Sequence, residues 1–139
     1  SDIEQVERKE RVDDAVNACK LALESGVVIG GGATLYRAST AFDKDDEVGS
    51  LFIKALQTPL RTIAENAGGL DDDMLKLLSP YAYVCGTTGQ IRDAKEDGVL
   101  DTMQVVLNRL ESDVSLAELV LLTDVAIIAP IDKFISEQL

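Results

Sequence analysis

Residues 11–39, RVDDAVNACKLALESGVVIGGGATLYRAS, decide the fold of this 139-residue chain. They begin inside a helical pattern over residues 2–25, whose apolar side chains recur every three or four positions, namely Val12, Ala15, Val16, Cys19, Ala22 and Leu23. Gly26 suits the end of that helix, and the glycine run at residues 30–32 separates it from a second helical pattern over residues 33–41. We therefore predict a helix, a glycine turn and a helix. The first half of the opening helix, IEQVERKERVDD at residues 3–14, is much more polar than its second half. Its amino-terminal turns are therefore expected to stand clear of the main core or to pack on another segment, while the apolar face packs on a core.

Most of the remaining chain also has helical periodicity. Residues 48–67 and 102–122 carry apolar side chains at helical spacing, and Pro59 predicts a bend or a restart in the first of these helices. The acidic start of DDDMLKLLS, residues 71–79, suits the positive end of a short helix. The fold class is therefore expected to be mainly α.

Strands are predicted in two places. YAYVC at residues 81–85 alternates in the manner of a strand, and GTTGQIRDAKEDG after it is typical of a turn or hairpin, followed by a brief strand at residues 99–100. TDVAIIAP at residues 123–130 predicts a buried strand, and residues 131–139 a short tail. The expected architecture is a helical bundle with a small β hairpin and a terminal strand.

The charge of the chain limits its partners. With 13 basic and 25 acidic residues, the net charge of −12 repels phosphate backbones and anionic lipid surfaces, so neither nucleic acid nor a membrane is expected. A free nucleotide is not excluded, because backbone amides and a magnesium ion commonly hold such ligands. The start of the chain has no leader pattern and no apolar run reaches the length of a bilayer span, so the chain is expected in the cytoplasm.

Cysteine and histidine usage restricts the chemistry further. Cys19 and Cys85 are the two cysteines and histidine is absent, so the chain cannot assemble a zinc site or a histidine-assisted nucleophile. Both cysteines are expected to be small buried apolar residues. No metal site is predicted within the chain.

Three features have both a structural and a functional interpretation. Gly30, Gly31 and Gly32 are typical of a tight turn between packed helices, but missing side chains also let a nucleotide approach the backbone. Asp14 is a solvated helix residue or, since it lies nearly opposite the apolar face of its helix, a carboxylate free to face a site. Asp101 is the N-cap of the helix that follows it or an acceptor for ribose hydroxyls. Spacing alone leaves these alternatives open.

Residues 11–39 resemble the intermediate-to-equatorial junction of group I chaperonin subunits, the GroEL-like family. The similarity there is long and ungapped, and it continues more loosely through LFIKALQTPLRTIAENAG, YAYVCGTTG and DGVLDTMQVVLNRLESDVSLAELVLLTDVAIIAP. The resemblance implies an intermediate-domain hinge helix at residues 1–25, the carboxy-terminal half of an equatorial domain at residues 26–130, and a tail at residues 131–139.

The resemblance also implies roles for the candidate residues. Asp14 matches the aspartate that acts at the attacking water during ATP hydrolysis, and Asp101 the aspartate that receives the ribose hydroxyls. The other candidates are implied to line the adenosine through the glycine run, the base-contacting segment and one apolar side chain: Gly30, Gly31, Gly32, Tyr83, Val84, Cys85, Gly86 and Val99. These parts suit phosphoryl transfer, which depends on positioning and electrostatics more than on a covalent nucleophile.

The chain departs from the family pattern at several points. Val84 stands where the family has an asparagine, which removes a polar contact to the adenine edge, and the hairpin after it carries one extra residue. The glycine-methionine tail of the family is replaced by IDKFISEQL. The phosphate loop, the magnesium-binding aspartate and the client-binding apical domain lie earlier in family members, so the phosphate and metal ligands for ATP with Mg²⁺ are expected outside this chain.

The implied function is part of an ATP-dependent molecular chaperone that assists protein folding in a ring. Its implied partners are other subunits of the same ring, non-native client proteins held by the apical domain, and a co-chaperonin lid. This segment would supply the adenosine-binding wall and the hydrolytic aspartate, and it is not expected to be an active ATPase in isolation. The alternative is a non-catalytic oligomerisation or scaffold module derived from a chaperonin.

Overall fold

The computed structural model describes residues 2–69, 75 and 79–126. The chain divides into two compact units, Ser1–Val106 and Leu107–Leu139. The expected helix at residues 71–79 lies outside the described residues except for Leu75 and Ser79, and so does the tail at residues 131–139.

The described part of the first unit is mainly helical, as predicted, with four short strands. In chain order its elements are α1 (Asp2–Ser25), β1 (Val27–Ile29), α2 (Ala33–Ala38), a 3₁₀ turn (Ser39–Ala41), α3 (Glu47–Asn66), β2 (Ala82–Val84), β3 (Ile91–Asp93), α4 (Ala94–Asp97), β4 (Leu100–Thr102) and the start of α5 (Met103–Leu121).

The strands form two antiparallel pairs. β2 pairs with β3, with Tyr83 opposite Arg92, which confirms the predicted hairpin. β1 pairs with β4, with Val28 opposite Asp101, and this second pair was not predicted. Because Asp101 lies in the middle of a strand, the prediction that it is the N-cap of the following helix is wrong.

The first backbone amides of α5 donate instead to acceptors at the end of α1. The Met103 amide donates to the Gly26 carbonyl at 3.1 Å, and the Gln104 amide donates to the Ser25 hydroxyl at 3.3 Å. First-turn amides of a helix need acceptors from outside the helix. These bonds therefore join the last turn of α1 to the β4–α5 junction.

The core of this unit lies between α2, α3 and the hairpin. Asp46 is the N-cap of α3, and its carboxylate accepts from the Gly49 amide at 2.7 Å. Of the predicted bend or restart at Pro59, the restart is absent, because the helix is continuous through that residue. It buries residues four positions apart on one face. The main buried apolar cluster consists of Tyr36, Leu60, Ala64, Leu75 and Val84.

Helix α1 has the predicted bounds, and its amino-terminal turns stand clear of the core, but the expectation that its apolar face packs on a core is wrong among the described residues. None of its residues is buried, and Leu23 is 90% exposed. Cys19 is exposed and Cys85 half-buried, so the expectation that both cysteines are buried is also wrong. The physical reason is that α1 is held through its last turn, whereas the core forms from later elements.

The second unit is described for residues 107–126. Helix α5 continues to Leu121, one residue short of its predicted end, with an exposed ion pair of 3.6 Å between Arg109 and Asp113. Residues 123–126 do not form the start of the predicted terminal strand, and residues 127–130 of that strand lie outside the described part. No helix in the described ranges is both long and apolar enough to cross a bilayer.

Candidate functional site

The glycine turn connects β1 to α2 in a conformation that requires glycine. Gly31 and Gly32 have φ angles of 64° and 76°, in the left-handed region that side chains disfavour. The Gly30 amide donates to the Val99 carbonyl at 3.0 Å, and the Thr34 hydroxyl donates to the Ile29 carbonyl at 2.7 Å. The turn is thus fixed by a bond to the residue before β4 and by a bond from α2 back to the end of β1.

The three glycines differ in what a side chain would meet. A Cβ atom on Gly32 would lie 2.8 Å from the Leu60 amide nitrogen, and one on Gly30 would lie 3.3 Å from atoms of Val99 and Asp101. A Cβ on Gly31 would meet the Tyr83 ring at 3.6 Å, an ordinary contact distance. A side chain would therefore collide at Gly32 and be crowded at Gly30, whereas Gly31 has room for one at ordinary contact distance.

Tyr83 forms the floor beside this turn. Tyr83 is 7% exposed and packs with Ala33 and Ala94. Partly buried apolar residues pack against this cluster, namely Ile29, Cys85 and Val99. The glycine run, Tyr83, Cys85 and Val99 were all candidates for the adenosine wall. The fold brings them together although they are distant in sequence.

Asp101 stands at the edge of the same group. Its Oδ2 atom lies 3.3 Å from the position that a Cβ on Gly30 would occupy, and the residue is exposed. Over the described ranges, no hydrogen bond or ion pair engages its carboxylate. The carboxylate is therefore available to accept hydrogen bonds from a ligand at the turn.

Val84 points away from this group. Successive strand residues face opposite sides, and Val84 is 1% exposed in the core with Leu60 and Ala64. Its side chain therefore cannot contact a ligand at the Tyr83 face. Gly86, which follows in the turn of the hairpin, is exposed. A ligand could meet the segment from Tyr83 to Gly86 mainly through backbone and through the Cys85 thiol.

Cys85 has an unusual environment for a half-buried cysteine. Hydrogen bonds from the Thr88 hydroxyl, and from the backbone amides of Thr88 and Thr87, lower the pKa of its thiol to about 7. At neutral pH a substantial fraction is therefore thiolate. The sequence signal for this was weak, because CGTTG is equally typical of an ordinary turn.

Asp97 is a residue that sequence reasoning missed. It accepts a hydrogen bond from the Tyr83 hydroxyl at 2.8 Å, and its other oxygen lies 2.6 Å from an Arg92 guanidinium nitrogen. An aspartate before a glycine is common in turns, so nothing in the pattern marked it.

Asp14 is not part of this group of residues. It lies exposed on α1, eleven positions before the end of the helix, or about 16 Å along the axis at the standard rise per residue. A surface groove lined by α1 residues such as Val12, Val16 and Cys19 does not include Asp14. The expectation that Asp14 faces away from the apolar stripe agrees with this arrangement.

The described residues do not fit a magnesium ion. No cluster of three or more histidine, cysteine, aspartate or glutamate side chains occurs in the described part of the chain. Asp101 stands beside apolar residues and backbone, which suits a nucleoside and not a hard cation. We therefore assign no step to a metal held by these residues.

Comparison with known proteins agrees with the resemblance seen in the sequence. Residues 2–130 match the TCP-1/cpn60 chaperonin family. A curated relative, the chaperonin GroEL of Methanoregula boonei, is 39% identical over 138 residues, which cover 91% of this chain and 26% of the relative. The chain thus spans about a quarter of the length of that relative. The match confirms the predicted similarity to group I chaperonins, and the chain belongs to the TCP-1/cpn60 chaperonin family.

Proposed function

We propose that this chain forms part of an ATP-dependent chaperone ring and supplies the wall that binds adenosine. The observation that carries the proposal is the convergence of Gly31, Tyr83, Val99 and the unengaged carboxylate of Asp101 around one turn. An apolar floor, an accessible backbone and one acceptor for hydroxyls are the groups that a nucleoside requires. The family relationship supports the same function.

Within this proposal, Asp101 accepts hydrogen bonds from the ribose hydroxyls. A carboxylate gains more from such bonds than a neutral acceptor does, because charge-assisted hydrogen bonds are stronger. The adenine lies against Val99 and the backbone of residues 83–86. Because the Val84 side chain is buried, the base edge is read without a side chain at that position.

Asp14 acts in this proposal at the water that attacks the terminal phosphate. Its position along α1, away from the turn, requires that α1 swing toward the nucleotide before hydrolysis. The attachment of α1 through its last turn, at Ser25 and Gly26, supports such a hinge. Domain closure would then couple hydrolysis to the conformational cycle of the ring.

The partners in this proposal are other copies of the subunit in a ring, non-native client proteins and a co-chaperonin lid. ATP is bound with Mg²⁺, whose ligands and those of the phosphates lie outside the described residues.

The test is to measure ATP binding and ATP hydrolysis by the full-length protein and its variants. Asp14→Ala is expected to bind ATP normally and to lose about 10²- to 10⁴-fold in turnover, the usual contribution of a group that acts on a proton or positions water. Asp13→Ala is the matched control, since it removes the neighbouring exposed carboxylate of the same helix. Asp101→Ala is expected to weaken ATP binding.

Two results would contradict the proposal. Equal losses of turnover in Asp13→Ala and Asp14→Ala would remove the specific role of Asp14. A full-length protein that neither binds nor hydrolyses ATP would favour the alternative of a scaffold module, in which Asp14 and Asp101 are surface residues only.

A further inference from the structure

Tyr83 connects the hairpin to the glycine turn through its ring. The ring is nearly buried, and it is the contact that a Cβ on Gly31 would meet, at 3.6 Å. Any movement of this ring therefore changes the support under Gly31, the least crowded of the three glycines. What holds the ring in place then matters for the site.

The other end of the same side chain is held by Asp97. The Tyr83 hydroxyl donates to one oxygen of Asp97 at 2.8 Å, while the second oxygen pairs with Arg92 at 2.6 Å. This hydrogen bond, together with burial, raises the pKa of Tyr83 to about 12. Asp97 thus holds a tyrosine on one strand of the hairpin and an arginine on the other, opposite it.

Asp97 also stands next to the segment that carries the rest of the candidate site. It ends α4, Gly98 follows in a left-handed conformation, and the Val99 carbonyl then accepts from the Gly30 amide. Within four residues the chain therefore passes from Asp97 to Asp101. The Asp97 carboxylate therefore links the β2–β3 hairpin to the segment that continues into β4, next to the glycine turn.

The two interactions of Asp97 differ in how strongly water screens them. The Arg92 side chain is 49% exposed, and exposed ion pairs contribute little because water screens them. The Asp97 side chain is 19% exposed and the Tyr83 ring less so, which makes their hydrogen bond the better shielded one. The hydrogen bond between Tyr83 and Asp97 is therefore expected to fix the position of the Tyr83 ring.

We propose that Asp97 is a positioning residue for the adenosine wall, acting by holding Tyr83 against the glycine turn. This inference rests on the proposed function of the site. Asp97 touches no ligand itself, so its loss weakens nucleotide binding by letting the Tyr83 ring move. Hydrolysis of bound ATP is left unchanged.

The experiment is steady-state ATP hydrolysis by the full-length protein with Tyr83→Phe and Asp97→Ala. Each variant is expected to raise KM for ATP about tenfold, because a Tyr83 ring that loses its partner no longer holds the turn in the binding geometry. The value of kcat is expected to stay near that of the unmodified protein, because binding of ground state and transition state is lost equally. Asp97→Asn keeps an acceptor oxygen for the tyrosine and is expected to recover most of the affinity.

Two control variants separate positioning from general effects. Glu96→Gln makes a charge change in the same short helix at a residue exposed to solvent, and KM should not change. Arg92→Ala removes the exposed ion pair and should raise KM less than Tyr83→Phe does. If Asp97→Ala does not fold, Tyr83→Phe still tests the inference, because it removes a single oxygen atom.

The outcomes separate the two proposals. If the unmodified protein hydrolyses ATP but Tyr83→Phe and Asp97→Ala retain its KM, the positioning role is overturned and the proposed function stands. A loss of thermal stability without a change in KM has the same meaning. If the unmodified protein does not bind ATP, both proposals fail together.

Discussion

The glycine turn and helix α1 adjoin in sequence but depend on the rest of the chain in opposite ways. In the turn, the spaces next to Gly30 and Gly32 are filled by neighbouring atoms, among them the Leu60 backbone. In α1, no residue is buried and Leu23 is 90% exposed. One region is thus defined by tertiary contacts, and the other by its own helical hydrogen bonds and its last turn.

This difference bears on function. The residues proposed to bind adenosine belong to the packed region, so their geometry is set before any ligand arrives. Asp14 belongs to the unpacked helix, so its position relative to the turn is free to change. With the proposed roles, the binding wall is preorganised and the catalytic aspartate must move into place, so hydrolysis would wait for closure.

The largest predicted effect compares one leucine from each region. Leu60→Ala removes a fully buried side chain and is expected to lower the free energy of unfolding by about 2–5 kcal/mol. Leu23→Ala changes an exposed side chain and is expected to stay within about 0.5 kcal/mol of the unmodified protein. Chemical denaturation of the full-length protein measures both. A similar loss in Leu23→Ala would show that the apolar face of α1 is packed, and would contradict the difference between the two regions.

A smaller effect is predicted inside the turn. Gly31→Ala places a side chain at positive φ, which costs about 1–2 kcal/mol, whereas Gly32→Ala adds to that cost a collision with the Leu60 backbone, worth about 1–3 kcal/mol more. Gly32→Ala is therefore expected to destabilise the protein more in the same denaturation experiment. In Gly31→Ala, the loss of ATP binding free energy should exceed the loss of the free energy of unfolding. Equal destabilisation would contradict the different packing of the two glycines.

The smallest effect concerns pH and Cys85. Because its folded-state pKa of about 7 lies below the ordinary value of 9.0, the thiolate contributes stability that is full above pH 9, declines between pH 9 and pH 7, and is lost below. Alkylation by iodoacetamide in a Cys19→Ser background should reach half its maximal rate near pH 7.

Two threonines provide the matched controls for this thiol. Thr88→Val removes the hydroxyl that lowers the Cys85 pKa, so the midpoint of alkylation should move to higher pH. Thr87→Val keeps the backbone amide that acts on Cys85 and should leave the midpoint in place. A midpoint that does not respond to Thr88→Val would show that the hydroxyl has no part in lowering the pKa.

Local patterns predicted the helices well but their environments poorly. The bounds of α1 and α5 and the hairpin near residue 84 follow from periodicity, glycine and alternation, which act within a few residues. The exposure of Leu23 could not be predicted, because an apolar stripe indicates what a helix can bury and not whether a partner is present. The strand character of Asp101 was missed for a related reason, since three residues gain a strand only from their pairing with β1.

The candidate site shows the same division. The glycine run, Tyr83, Val99 and Asp101 were identified from their resemblance to a family, and the fold places them around one turn. Strand alternation predicts that Tyr83 and Val84 face opposite sides, but only the fold decides that Tyr83 packs beside the turn and Val84 packs with Leu60 of α3. Asp97 carried no signal, because its significance comes from a hydroxyl fourteen residues away in the chain.

The order of helices, the turn-forming glycines and the family of this chain are therefore encoded locally, because hydrogen bonds and backbone preferences over a few residues are enough to specify them. Three features arise only in the folded chain: the pairing of β1 with β4, the looser surroundings of Gly31 compared with Gly30 and Gly32, and the hydrogen bond of Tyr83 to Asp97. Each of these depends on atoms that are distant in sequence and come within contact distance once the core around Leu60 has formed.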